Sequence, residues 1–125
     1  MADTKELDSL IQKIGKLHKM IRFIAIISKN GKIIKSEMRD EVPSLLKTKN
    51  EEKFCQDVTV RRKMREEFDK TLGRVRFVNV ERENISQIVM YAKTKSLFVT
   101  MEPEISINDK TKIISQIKKL TSNLK

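Results

Sequence analysis

The side chains able to do chemistry are few. His18 is the only histidine and Cys55 the only cysteine. A catalytic site needs an acid, a base, a nucleophile or a metal ligand to converge. His18 falls four residues after Ile14, at the border of an apolar helical stripe, where a packed or surface imidazole is expected rather than a general base. Cys55 stands between Phe54 and Gln56 and reads as a buried, inert thiol. A lone cysteine makes no internal disulfide, which fits a reducing, cytoplasmic setting. Zinc needs several Cys or His ligands at fixed spacing, and this chain has two such residues in all. No Asp-rich loop with a central glycine is present for calcium. Gly15, Gly31 and Gly73 are too scattered for a phosphate-cradling loop. The expectation is a protein without catalysis, cofactor or metal.

The charged residues offer a different chemistry. Lys and Arg number 27 against 17 Asp and Glu, a net charge of +10. Residues 21–49 hold seven basic and three acidic groups, and residues 105–125 hold five and one, while the rest of the chain is near balance. Such a surplus draws phosphates, anionic lipid or an acidic protein at long range. It is equally the solvated surface of a lysine-rich protein. Arg61-Arg62-Lys63-Met64-Arg65 is the one basic cluster, and Glu66, Glu67 and Asp69 follow it directly. Lys112 and Lys119 form one row of the last helical segment, and Lys118 and Lys125 another, on opposite flanks of an apolar stripe. Arg61, Arg62, Lys63, Lys112, Lys118 and Lys119 are therefore the candidate phosphate contacts of a nucleic-acid-binding reading. Against it, Phe23 and Phe98 look like core residues and no RNP-like motif appears. Glu81-Arg82-Glu83 concentrates mixed charge at a turn, as a solvated hairpin tip does.

These side chains must be held by one small core. The chain has 125 residues, a length for a single domain, and 38% of them are hydrophobic. No apolar run exceeds five residues, as in Phe23 to Ile27, so no segment is expected to insert in a membrane. The first ten residues carry Asp3, Glu6 and Asp8 without an apolar stretch, so no secretory signal is expected. Asp3 with Glu6 resembles a capping box for a helix whose stripe is Leu7, Leu10, Ile11, Ile14 and Leu17. Ile21 to Lys29, Asn30-Gly31 and Lys32 to Met38 read as a hairpin with a type I′ turn. That register sets Phe23 opposite Met38, Ala25 opposite Ser36 and Ile27 opposite Ile34 on one face. Ile24 faces Glu37 and Ile26 faces Lys35 on the other. The first strand, apolar on both faces, is expected at the centre and the second at an edge.

Residues 39–49 connect, with one helical turn at Pro43. Residues 50–72 read as a long helix capped by Asn50 and ended by Gly73, with Phe54, Val58, Met64, Phe68 and Leu72 near one side. Val58-Thr59-Val60 is its weak point. Arg62 with Glu66, Lys63 with Glu67, and Arg65 with Asp69 are spaced as ion pairs. Strands follow at Arg74 to Arg82, Ile85 to Ala92 and Leu97 to Met101, and Pro103 ends the sheet. Asn108 or Asp109 caps a last helix with the stripe Ile113, Ile114, Ile117, Leu120 and Leu124. The order α-β-β-α-β-β-β-α implies an α/β (α+β) protein, a five-stranded antiparallel sheet with helices on both faces.

That order, with strand-Asn30-Gly31-strand near its start, resembles the roadblock family of dynein-type light chains and, more broadly, the longin and profilin-like folds. The resemblance covers residues 4–124. It implies that the first and last helices share one sheet face and the middle helix takes the other. It also implies a homodimer joined through middle helices and third strands, acting as a scaffold or regulator of a protein partner such as a small GTPase, with no catalysis of its own. Carried onto this chain, the dimer surface comprises Met64, Arg65, Phe68, Val75, Phe77, Val78 and Val80. The strand from Arg74 to Arg82 supports a dimer independently, since an apolar edge invites a partner strand. A pocket between sheet and helices, as in PAS-like relatives, would instead make the chain a small-ligand sensor.

Overall fold

The strand that is apolar on both faces lies at the middle of the molecule. A computed structural model describes residues 4–39 and 48–124. In it β1 (Ile21–Ser28) is buried at every position but its last. β1 pairs antiparallel with β2 (Ile33–Met38) on one side and with β5 (Lys95–Met101) on the other. β4 (Ser86–Tyr91) follows β5, and β3 (Val78–Glu81) forms the far edge, so the antiparallel sheet runs β2-β1-β5-β4-β3.

Successive residues of β1 supply two cores, because side chains alternate across a strand. Ile24 and Ile26 join Ile88 and Val99 under α1 (Thr4–Gly15) and α4 (Ile107–Leu120), which contribute Leu7, Leu10, Ile14, Ile113 and Ile117. Phe23, Ala25 and Ile27 join Val89 and Phe98 under Cys55 and Val58 of α2 (Thr48–Glu66). Phe98 is clasped by two rings, Phe54 at 5.2 Å and Phe23 at 6.3 Å between centroids. The helices thus lie on the faces that the resemblance implies.

Six local expectations are corrected. The hairpin is not closed by a type I′ turn. Asn30 keeps a negative φ, and Gly31 alone is left-handed at 87°. The Gly31 N–H donates to the Ser28 carbonyl at 3.0 Å and the Ser28 N–H donates to the Lys32 carbonyl at 2.8 Å. This is the three-residue loop that ends in a glycine bulge. The Ser28 hydroxyl drives the choice by accepting from the Asn30 and Lys32 N–H groups at 3.3 and 3.1 Å. Such a loop shifts the register by one residue. A second irregularity, pairing Ile27 with Ile33, shifts it back, so Ile26 meets Lys35 and Phe23 meets Met38 as expected. Ile34 is the displaced residue and is 41% exposed.

The middle helix divides. It stops at Glu66, and a separate turn, α3 (Asp69–Leu72), ends at Gly73, whose φ is 85° and whose N–H donates to the Asp69 carbonyl. Asn50 lies inside α2 rather than capping it. The single inward stripe also fails. Cys55 and Val58 are buried, but Met64, Phe68 and Leu72 are exposed. Val58 and Met64 are six residues apart, well round the helix, and the inward position one turn after Val58 belongs to Arg62. In α4 the cap is Ser106, whose hydroxyl accepts from the Asp109 N–H at 3.1 Å. Serine suits that site, and Asp109 falls in the first turn. The third strand is shorter than expected, Val78–Glu81 instead of Arg74 to Arg82. Its continuation would set Arg76 opposite Tyr91, which is taken by α2. The Asp3 cap, the Pro43 turn and Lys125 lie outside the described residues.

Candidate interaction surface

Arg62 holds α2 to the sheet. Its guanidinium donates to the Lys95 carbonyl at 2.9 Å, to the Ser96 hydroxyl at 3.3 Å and to the Ala92 carbonyl. It lies 4.8 Å from the centroid of the Tyr91 ring, and Glu66 pairs with its Nε at 3.6 Å. Arg65 donates to the Tyr91 hydroxyl at 3.0 Å. Arg62 is thus engaged inside the fold, whereas Arg61 and Lys63 are exposed.

With Arg62 inward, the other side of α2 and α3 is apolar and open. Val60, Met64, Phe68 and Leu72 are 55%, 61%, 56% and 78% exposed. Val60 and Met64 are neighbours on one face of α2, Phe68 stands at the break between the helices, and Leu72 ends α3. A cleft lined by Arg65, Asp69, Arg74, Val75 and Tyr91 joins this end of the helices to the segment that enters β3. Phe77 on that segment is exposed, and Val78 and Val80 on β3 are half-buried. Among the described residues β3 has a partner only in β4, which leaves its outer backbone edge unpaired there.

At the last position of β3, Glu81 accepts from Lys110 of α4 and from the Ser86 hydroxyl, the latter at 2.8 Å. The Lys110 hydrogen bond, offset in part by desolvation and helped by Ser86, holds the Glu81 carboxyl below the usual carboxylate range. A lowered folded pKa adds stability that is present above the ordinary carboxylate value and lost as pH falls through the lowered one. Glu81→Gln is therefore expected to lower the melting temperature near neutrality. The gap to the parent should close as pH falls below about 4. A gap constant across pH in thermal melts would contradict this ion pair.

His18 and Cys55 are both held within the fold. The His18 ring bridges the Met20 N–H at 3.0 Å and the Asp109 carboxylate at 3.1 Å. Burial, then the nearby Glu51 charge, raises the Cys55 thiol to about 11, so it stays protonated at neutral pH. A small cavity between α2 and the sheet is lined by Phe23, Phe54, Cys55, Phe98 and Thr100. Among the described residues no group of three or more His, Cys, Asp and Glu is placed to hold a metal ion. No described helix is long and apolar enough to cross a membrane.

The family model described as "Family of unknown function (DUF6659)" matches residues 3–124. The chain belongs to this family. Among solved structures this DUF6659 chain is similar to Myxococcus xanthus MglB, with a TM-score of 0.74 and 12% identity over 99% of this chain and 92% of that one. It is similar to a Roadblock/LC7 domain from Streptomyces avermitilis, with a TM-score of 0.68 and 13% identity over 92% and 93% of the two chains. It is also similar to LokiProfilin1, with a TM-score of 0.51 and 18% identity over 98% of this chain and 100% of that one. The DUF6659 fold is therefore the roadblock fold, with a profilin-like relation. No curated protein matches its sequence.

The DUF6659 structure places Met64, Phe68 and Phe77 at the surface, Arg65, Val75, Val78 and Val80 half-buried around them, and Lys112, Lys118 and Lys119 exposed on α4. Val60 was not assigned to this side from sequence, and Leu72, read on the same side as Met64 and Phe68, was not counted in the dimer surface. The signal was there, in four apolar residues at strict four-residue spacing beside a second, inward set.

Proposed function

We propose that this DUF6659 chain is a non-enzymatic interaction module that acts as a homodimer. The contact is made by the outer face of α2 and α3 together with the β3 edge. The observations that carry this reading are the exposed residues Val60, Met64, Phe68 and Leu72 of the α2–α3 segment, and exposed Phe77 leading into a strand whose outer edge has no partner among the described residues. Exposed apolar residues of that kind on a highly charged chain mark an interaction site, and an open edge adds backbone hydrogen bonds to a partner strand. A structural neighbour is described as "MglB with tetrameric arrangement", which supports self-association of the fold. The dimer would serve as a scaffold or regulator for a protein partner, and a small GTPase is the class that the roadblock resemblance implies. Light scattering tests the contact. The parent should be a dimer at tens of micromolar, and Phe68→Glu or Phe77→Glu should weaken it at least ~30-fold, as loss of a central apolar anchor does. A parent that stays monomeric at about 100 µM overturns the reading.

A further inference from the structure

The cavity between α2 and the sheet has a floor that the strand register defines. Met38 of β2 stands opposite Phe23 of β1, Phe23 opposite Thr100 of β5, and Thr100 opposite Gln87 of β4. All four line the cavity, so they form one row across four strands on the face that α2 covers. Glu51, Phe54 and Cys55 line the same space from the helix side. Two members of the row are apolar and two are polar. Thr100 is only 4% exposed, yet its hydroxyl has no hydrogen-bond partner among the described residues. Gln87 is buried beside it. A buried polar group without a partner is costly, and folds seldom keep one without a use. The other such hydroxyl among the described residues, on Thr59, stands beside Gly31 of the hairpin and is not among the residues lining this space.

We propose that this cavity binds a small uncharged molecule with an apolar body and one carbonyl, amide or hydroxyl group, which Thr100 and Gln87 hold by hydrogen bonds. Three observations set that chemistry. Most of the wall is aromatic, aliphatic or sulfur-bearing, which suits an apolar body. Arg22 and Glu51 both line the space, and Arg22 is paired with Glu102 at 2.8 Å. An anion would meet Glu51 and a cation would meet Arg22, so a neutral occupant is favoured. The volume is about 50 Å³. One water needs ~10–15 Å³, so the enclosed group has roughly three to five non-hydrogen atoms. Water itself suits the site poorly, because it needs two to four polar partners and most of this wall offers none.

Titration of the full chain with propanamide, a neutral probe of about that size, tests this by NMR. Saturable shifts are expected at the backbone amides of Phe23, Cys55, Gln87 and Thr100. The dissociation constant should be millimolar, since so few atoms set a low ceiling on affinity. Thr100→Val keeps the shape and removes the hydroxyl. It should weaken propanamide binding about fivefold or more, the worth of one hydrogen bond. It should also raise the melting temperature of the free protein, because a buried group without a partner is gone. Phe68→Glu, which lies outside the cavity, should bind propanamide as the parent does, so the cavity and the homodimer are tested apart. No saturable shift at the cavity, binding unchanged in Thr100→Val, or a melting temperature that does not rise in that variant would each overturn the proposal.

Discussion

Ile26→Ala should destabilise the fold by about 3 kcal/mol, a downward shift of roughly 10 °C in melting temperature. Ile26 has no solvent exposure, and it stands on the central strand between Lys35 of β2 and Leu97 of β5. Its side chain belongs to the core formed with α1 and α4, where Ile14, Ile113 and Ile117 are also closed off from water. A close-packed site of this kind loses the transfer free energy of the deleted methyl groups and retains a cavity. Ile34→Ala is the matched control, since Ile34 sits on the irregular β2 edge and is 41% exposed. Its cost should stay below about 1 kcal/mol. In urea titrations Ile26→Ala should move the midpoint at unchanged slope. Equal midpoints for the two variants would mean that β1 is not the strand on which the layers close.

Arg62→Ala should cost about 2–3 kcal/mol, an unusual value for a residue in a charged run. The guanidinium binds the Ala92 and Lys95 carbonyls and the Ser96 hydroxyl, three acceptors around the β4–β5 connection, and lies over Tyr91. Its removal strips those acceptors of a charged donor and frees the α2 end of the sheet. Arg62→Lys should not restore the loss, because an ammonium lacks the planar fork that reaches several acceptors and stacks on a ring. Lys63→Ala, on the exposed side of the same turn, should stay within about 0.5 kcal/mol. Thermal melts of the three variants decide the matter, and an Arg62→Ala protein as stable as Lys63→Ala would remove the clamp.

The sheet was readable in the sequence because its strands carry their burial in their composition. Phe23 to Ile27 read as a strand with protein on both faces, and the hairpin set β2 beside it, while its second partner, β5, was not assigned from sequence. The register opposite Phe23 to Ile26 came out right although the turn did not. The Ser28 hydroxyl chose a longer loop, and the slip at Ile34 cancelled the extra residue. The candidate surface was less readable. Nothing in Arg61-Arg62-Lys63 tells which cation points inward, since that depends on carbonyls of a connection thirty residues away. Once Arg62 is known to face the sheet, the outward placement of Val60 and Met64 follows from helical spacing, whereas Phe68 and Leu72 lie beyond the end of α2. The meeting of Leu17 and His18 with Lys112 was unreadable for a related reason, since it depends on the pairing of His18 with Asp109, 91 residues apart in the chain.

The place of β1 in the sheet also governs how the molecule is made. One of its two neighbours, β2, emerges from the ribosome directly behind it, but the other, β5, is translated about seventy residues later. At ~5–20 residues per second the nascent hairpin waits roughly four to fifteen seconds with its second edge unpaired, while α1, made before it, and then α2 come to cover its faces. Until the last third of the chain is made, that edge is open to a second hairpin of the same kind.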